Sequence, residues 1–460
     1  MRAASSNAQT DRLRSSCLTE KRHVRFSLRF RGKAICVVSQ LKTTEVNSMA
    51  DRRSVAIAPA NEAPRRRLLR AACHLATAGI AVFALTAQAA PPPAAKFTLG
   101  PPVAVDYAPW IKTRFPDEHV SFTKGPGGFR LWSSAGSGDT LVYSSADLLH
   151  FLPATAGPVF GPPRTAKSSF DENYAGAGAV VIDPANPREF YMLYEADSFC
   201  YGTSPRVCKG SDYYWASIGI AHADDPLNTG NPKRWTGFAN EQNEAGRTAA
   251  LVSPDKKPPA PPALGYYGDG IPSGFVDPRD PLHRYLYAYF EYHPNPQRSD
   301  AESRVEVARD AFTDLRSPKL APDFKKFDIA PGPQHGFSVQ FDDRGSPIVP
   351  SAAGGACTSQ ERPSVSYNTA LQKYLMVLVC NRIPGGATRD WYYTTTDNID
   401  AQAWAVPLPL AQYSSDLPWY PSLVSPDQPD SNTTGGSGVI FFQWGTYAPY
   451  TRTFSIAPPA

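Results

Sequence analysis

The chain has little of what nucleophilic, metal or phosphate chemistry needs. It contains no Gly-x-Ser-x-Gly elbow, no His in a recognisable relation to an Asp and a Ser, no phosphate loop and no zinc spacing. Long apolar runs are scarce as well. The stretch from Ala71 to Leu85 is too short and interrupted for a membrane span. It follows the basic run Arg65-Arg66-Arg67-Leu68-Leu69-Arg70 and precedes the small-x-small site Ala87-Gln88-Ala89, which is the pattern of a secretory signal peptide. The paired arginines also suit a twin-arginine leader, so the destination is read as secreted or periplasmic.

Excess positive charge is missing too once that leader is set aside. Residues 1–89 hold 16 of the 46 Lys and Arg and 5 of the 42 Asp and Glu, leaving 30 basic and 37 acidic residues, about −7. A nucleic-acid partner would want a basic face, so none is expected, and no membrane is expected after cleavage. Cysteines fall to four: Cys200, Cys208, Cys357 and Cys380. An even count in an exported chain favours disulfides. Of the three connectivities, Cys200–Cys208 with Cys357–Cys380 closes the shortest loops.

The resulting division has four parts. Residues 1–48 are read as an over-extended start, expected to be disordered, because Met49 would give an ordinary leader. Residues 49–89 are the signal peptide, 90–102 a Pro-rich linker, and 103–460 one domain, expected to be a monomer.

What the domain does have is a repeated turn. Ala179–Ile182 runs into Asp183-Pro184-Ala185-Asn186-Pro187 and then Phe190–Tyr194; Gly274–Val276 runs into Asp277-Pro278-Arg279-Asp280-Pro281 and then Tyr285–Tyr289. Pro pre-sets the turn dihedrals, Asp and Asn bond the backbone beside them, and the flanks are β-branched or aromatic. Val120–Phe122, Ser364–Ser366 and Ser422–Val424 open three further hairpins through other turns. Outer strands ending in a polar-x-Asp turn follow four of the five, at Leu141–Ser144, Ser217–Ala221, Val305–Ala308 and Trp391–Thr394. The last unit needs an early strand near Val103-Ala104-Val105 to complete it. The fold class is therefore all-β: a five-bladed β-propeller with four antiparallel strands per blade.

Carboxylates precede the inner strands. Asp117 and Glu118 stand before Val120, Asp171 and Glu172 before Ala175, Asp269 before Ile271, and Glu361 before Ser364; the fifth unit has Trp419-Tyr420 there. Clustered acids need a reason, since an unpaired buried carboxylate is costly. Glycoside hydrolysis is one, with a protonated and an ionised carboxyl and a third to tune them. Trp132, Tyr174, Tyr266, Tyr267, Trp419 and Tyr420 are the aromatics placed to stack on sugar rings.

These segments resemble the five-bladed β-propeller glycoside hydrolases of the arabinanase and β-xylosidase type, with their invertase-like relatives. Asp117-Glu118-His119-Val120 is similar to an Asp-Pro-x-Val opening with Glu for Pro. Asp269-Gly270-Ile271-Pro272 is similar to an Ile-Asp-x-x-Phe segment, and Glu361-Arg362-Pro363-Ser364-Val365 to Glu-Gly-Pro-x-Leu with Arg for Gly. The resemblance implies Asp117 as general base, Asp269 as tuning carboxylate and Glu361 as general acid, with Glu118 and Glu172 as substitutes and Arg362 near the substrate. It implies a carbohydrate ligand and no cofactor beyond a central calcium or water reached by His119 or His335. A carbohydrate-binding or cell-surface propeller without catalysis is the competing expectation. Arg279-Asp280-Pro281 looks like a substrate-binding triplet of the invertase-like enzymes but occupies a turn, and the turn reading is preferred. No Ser-x-Asp-x-Gly-x-Thr-Trp box of sialidase propellers is found; Gly136-Ser137-Gly138-Asp139-Thr140 reads as a hairpin turn.

Overall fold

The computed structural model describes residues 95–458 except 108–113, 126, 163–169, 202–206, 209–212, 225–235, 238–264, 294–302, 318–321, 331–334, 341–344, 353–356, 382–388, 414–417 and 446–447. Before residue 95 it describes only the strand pair Arg29–Phe30 and Lys33–Ala34. The expected signal peptide therefore lies outside the described residues. Among the described residues no helix is long and apolar enough to cross a membrane.

The domain is almost entirely β. Strand β1 (Lys96–Ala104) comes first in the domain and is used last. The first antiparallel meander holds β2 (Ser121–Gly125), β3 (Gly128–Ser134), β4 (Thr140–Ser145) and β5 (His150–Pro153). The second holds β6 (Tyr174–Asp183), β7 (Asn186–Ser198), β8 (Tyr213–Ala223) and the short β9 (Thr236–Gly237). The third holds β10 (Gly265–Val276), β11 (Tyr285–His293), β12 (Arg304–Ala311) and β13 (Lys325–Asp328). The fourth holds β14 (Ser359–Asn368), β15 (Lys373–Asn381), β16 (Arg389–Thr396) and β17 (Leu408–Ala411). The fifth holds β18 (Trp419–Val424), β19 (Ser437–Trp444) and β20 (Ala448–Ala457), and β1 pairs onto its free edge. Val103 lies opposite Thr451 and Ala104 opposite Tyr450. The one described helix, α1 (Phe312–Leu315), follows β12.

The strand begins at Lys96, inside the stretch read as a linker. Pro101 and Pro102 mislead because they cannot donate to a ladder, but an edge strand has an outward side where no donor is needed.

The second strand of each meander is apolar on both sides, and the period of two shares it between two cores. On β7, Tyr191 and Leu193 face the core between the second and third meanders, while Met192, Tyr194 and Ala196 face the one between the first and second. On β15, Met376, Leu378 and Cys380 meet the third meander's Phe275 and Tyr287, and Leu375, Val377 and Val379 meet the fifth meander's Ile440 and Phe442. Phe122 and Leu131 of the first meander pack with Val424 and Phe441 of the fifth. Consecutive meanders thus share one core each, and the last shares one with the first. Each buried Leu, Phe or Ile contributes about 1.5–3 kcal/mol.

The Asp-Pro turns work as expected. Asp183 accepts the Ala185 N–H at 2.8 Å and Asp277 the Arg279 N–H at 2.9 Å. Asp280 of the Arg-Asp-Pro triplet accepts the N–H groups of Leu282 and Arg284, so it closes the turn. Cys357 and Cys380 form a disulfide. The backbones of Cys200 and Cys208 lie opposite one another in a two-residue ladder, and their side chains are outside the described residues.

Candidate active site

Three inner strands share a bulge built on an x-Pro-Ser tripeptide. Ile271-Pro272-Ser273 interrupts β10, Arg362-Pro363-Ser364 interrupts β14 and Tyr420-Pro421-Ser422 interrupts β18, and the register slips at each. The residue before each Pro has positive φ: 50° at Ile271, 52° at Arg362 and 56° at Tyr420. Such values are uncommon outside glycine, and for a β-branched Ile they are strained. The strain turns backbone N–H groups away from their own ladder and toward the preceding meander. Ile271 donates to Glu195 Oε2 at 2.6 Å, and Arg362 donates to Glu291 Oε2 at 2.9 Å.

Glu195 and Glu291 lie at matching places on β7 and β11, and neither was singled out by the sequence reading. Both are buried. Around Glu195 the carboxyls crowd. Glu118 and Asp197 are each hydrogen-bonded to it through their side chains, and burial followed by its charge pushes both well above the carboxylate range. Glu195 is also raised by burial; the hydrogen bond with Glu118 opposes the rise, Glu291 adds to it, and the Ile271 N–H and Arg362 oppose it.

Asp117 is the member of this group that reaches solvent. Glu118 is 1% exposed, Glu195 5% and Asp197 7%, whereas Asp117 is half-buried. Its N–H is held by the Ser134 carbonyl at 2.9 Å. Tyr174 donates to the Asp117 carbonyl at 3.0 Å, and Tyr420 donates to its carboxylate at 3.4 Å. Burial raises the Asp117 carboxyl to about 7; Glu195 adds to the rise, while Arg114, Tyr420 and Arg362 oppose it. Tyr214 of β8 lies in the field of Asp197, Glu195, Glu291 and Asp117.

Glu361 is the opposite case. Arg362 Nη1 bonds its Oε2, and Arg389 Nε reaches the same oxygen at 3.1 Å. Burial raises the carboxyl, but Arg362, Arg389 and His293 together outweigh it and hold Glu361 below its ordinary value. Their guanidinium carbons stand 3.7 Å (Arg362) and 4.0 Å (Arg389) from the centre of the Trp419 ring. That ring is engaged with cations rather than bare for a sugar.

Other residues singled out in the sequence are held in contacts of their own. Asp269 is fully buried and pairs with Lys326 Nζ at 2.6 Å, in contact with Glu306 and Arg304 charge. Trp132 and Tyr267 are each 1% exposed, packed with Phe190 and with Tyr292, so neither offers a face to a ligand. Tyr266's side chain is outside the described residues. Glu172 accepts from Ser198 at 3.1 Å and Asp171 from Tyr194 at 3.2 Å, each on the second strand of their own meander. His119 is buried with Nδ1 at 3.3 Å from Ser422 Oγ, and burial with Arg362 lowers it to about 3, leaving a neutral imidazole. His335 is exposed, beside the Phe327 ring. Among the described residues no group of three or more His, Cys, Asp and Glu could hold a metal ion.

The signal for the missed carboxylates was present. Tyr194-Glu195-Ala196-Asp197 and Phe290-Glu291-Tyr292-His293 each put an acid at the same place in an otherwise apolar second strand.

No family model matches the chain, and no curated protein matches it. Among solved structures it is similar to the catalytic domain of a GH62 alpha-L-arabinofuranosidase from Coprinopsis cinerea, with 10% identity over 80% of this chain and 98% of that chain, TM-score 0.42. A family 117 glycoside hydrolase from the marine bacterium Zobellia galactanivorans gives 12% identity over 79% and 90%, TM-score 0.39. An endo-arabinase from Bacteroides thetaiotaomicron gives 15% identity over 77% and 97%, TM-score 0.40. The resemblance of this chain to glycoside hydrolases is a distant one.

Proposed function

We propose that the chain is an exported glycoside hydrolase, built as a five-bladed propeller in which each four-stranded meander is a blade. It would cleave a poly- or oligosaccharide by carboxyl acid/base chemistry where Asp117 meets solvent. Five meanders with cores shared in a cycle support the propeller. The observation that carries the chemistry is the contrast between two carboxyls. Asp117 keeps its proton up to about 7, and Glu361 is held ionised by Arg362 and Arg389. Glycosidic cleavage needs one carboxyl of each kind. On this reading Asp117 donates the proton and Glu361 supplies the negative charge, the reverse of the roles the resemblance implied. The Arg362 charge favours the ionised form of both carboxyls.

One observation favours the second reading, a carbohydrate-binding propeller without catalysis. Glu361 is only 2% exposed and saturated by two arginines, which is how a structural carboxylate is held.

The test uses the protein from Ala90 onward on aryl glycosides and polysaccharides, beside Asp117→Asn. Turnover that falls about 10²–10⁴-fold in the variant supports Asp117 as the acid. Turnover indifferent to the change removes Asp117 from the mechanism. Saccharide binding without turnover in either protein selects the binding reading.

A further inference from the structure

We infer that Tyr420 is a positioning residue for Asp117: its hydroxyl holds Oδ1 and leaves Oδ2 as the oxygen that carries the transferable proton. The inference rests on reading Asp117 as the donor, and it gives Tyr420 a task other than stacking on a sugar.

Two short segments meet where the fifth meander joins the first. One runs from Asp117 to Val120, ahead of β2; the other is Tyr420-Pro421-Ser422, the bulge of β18. At one end of the junction Tyr420 Oη lies 3.4 Å from Asp117 Oδ1. At the other, Ser422 Oγ accepts the Val120 N–H at 2.9 Å and stands 3.3 Å from His119 Nδ1. The same Ser422 hydroxyl donates to the Tyr420 carbonyl at 3.1 Å. The residue that carries the phenol is thus tied to the segment that carries the carboxyl.

This bulge is used differently from the other two. At Ile271 and Arg362 the backbone N–H goes to an acid of the preceding meander. At Tyr420, with φ 56°, side chains cross instead, and they cross to the first meander. A left-handed tyrosine persists only where its surroundings hold it there.

The Asp117 main chain is fixed without Tyr420. Its N–H goes to the Ser134 carbonyl at 2.9 Å, and Tyr174 donates to its carbonyl at 3.0 Å. What is left to orient is the carboxyl. The charged and titratable groups around it are Arg114 and Glu118 of its own segment, Tyr174 of β6, Glu195 and Asp197 of β7, Tyr214 of β8, Arg362 of β14 and Tyr420. Among the described residues only Tyr420 hydrogen-bonds to the carboxyl. Tyr420 is 9% exposed, and a buried hydroxyl needs an acceptor. Asp117 Oδ1 is the acceptor it has among the described residues, so the phenol donates and the proton of the acid sits on Oδ2. The Tyr420 ring is already engaged: the Arg362 guanidinium carbon stands 5.2 Å from its centre, and the His119 ring meets it edge-on at 6.3 Å.

The experiment follows the Asp117 carboxyl carbon by NMR in protein labelled at aspartate, with Asp117→Asn for assignment. Tyr420→Phe keeps the ring and removes only the hydroxyl. Asp117 is expected to titrate about 0.5–1 pH unit higher in that variant, the worth of one hydrogen bond to its ionised form. The alkaline limb of kcat/KM should rise by the same amount, while kcat falls about 10–10²-fold and KM stays near its wild-type value. A general loosening of the fold would lower kcat without moving the limb. A sugar platform would lose nothing, since Phe keeps the ring. An unmoved Asp117 titration in the folded variant, or an unchanged kcat in a protein that turns over, overturns the inference. Should Tyr420→Phe fail to fold, the wild type labelled at tyrosine Cζ decides. A signal that neither Tyr174→Phe nor Tyr214→Phe removes must move with the Asp117 inflection, and the lack of one is an overturning result. The titrations need no substrate, so a protein without turnover would end the glycosidase reading while leaving the hold of Tyr420 on Asp117 decided.

Discussion

Lys326 on β13 reaches across the third meander to Asp269 on β10, Nζ to Oδ2 at 2.6 Å, and neither side chain is exposed. A buried pair is weak evidence of net stability, but removing one partner strands the other in a medium that cannot solvate it. Asp269→Asn is therefore expected to lose about 3 kcal/mol in chemical denaturation. Asp269→Leu combined with Lys326→Met should recover most of it. If Asp269 instead tuned the candidate carboxyls Asp117 and Glu361, the single variant would keep its stability and lose turnover.

On the proposed reading, Asp117 ties activity and stability together with opposite signs. Its folded value of about 7 stands above the ordinary 3.8, so the folded state prefers the proton. The stabilisation is complete below the unfolded value and is lost as pH rises through about 7. Asn mimics the protonated form at every pH. Asp117→Asn is expected to match the wild-type thermal midpoint at pH 4, exceed it at pH 8, and lose turnover throughout. A variant midpoint below the wild type at pH 8 would show that Asp117 holds a charge that the fold uses.

The strands, the Asp-Pro turns and the returning N-terminal segment were legible because each rests on local chemistry: Pro dihedrals, Asx bonding and alternating apolar residues. Asp117 and Glu361 were singled out for a related reason, since both stand next to the inner strands of clear hairpins. Asp269 was read by the same rule and is paired with Lys326. The bulge between Gly270 and Ser273 breaks the alternation that would have told which way its side chain turns. Glu195 and Glu291 were passed over because a single acid in an aromatic strand reads as its solvent face. Here both faces of the strand are buried, a fact that only the packing of neighbouring meanders supplies.

Strand β1 makes a prediction about where the folding unit begins. Phe97 and Leu99 pack against the core shared by the fourth and fifth meanders, and Tyr393 donates to the Ala95 carbonyl at 2.7 Å. A protein started at Val105 would expose that core and leave the β20 edge unpaired, an invitation to strand addition. It is expected to lose about 3–6 kcal/mol relative to one started at Ala90 and to self-associate on gel filtration. Equal stability of the two proteins would mean that β1 is a dispensable edge.

Glu361 holds Arg362 and Arg389 through one oxygen, so replacing it has a structural consequence that any activity assay must be read against. Its folded value lies below the ordinary 4.5. The stability it contributes is present above that unfolded value and is lost as pH falls through the folded one. Glu361→Gln should therefore flatten the acid side of the stability profile and cost about 3 kcal/mol at pH 7, because Arg362 stays buried with less charge to oppose it. Glu361→Met with Arg389→Met removes one charge of each sign and leaves Arg362 its contact with Glu291. That pair of changes is expected to restore the midpoint but not turnover. Return of both would assign Glu361 to the scaffold and leave Asp117 without an ionised partner, which is the outcome the binding reading requires.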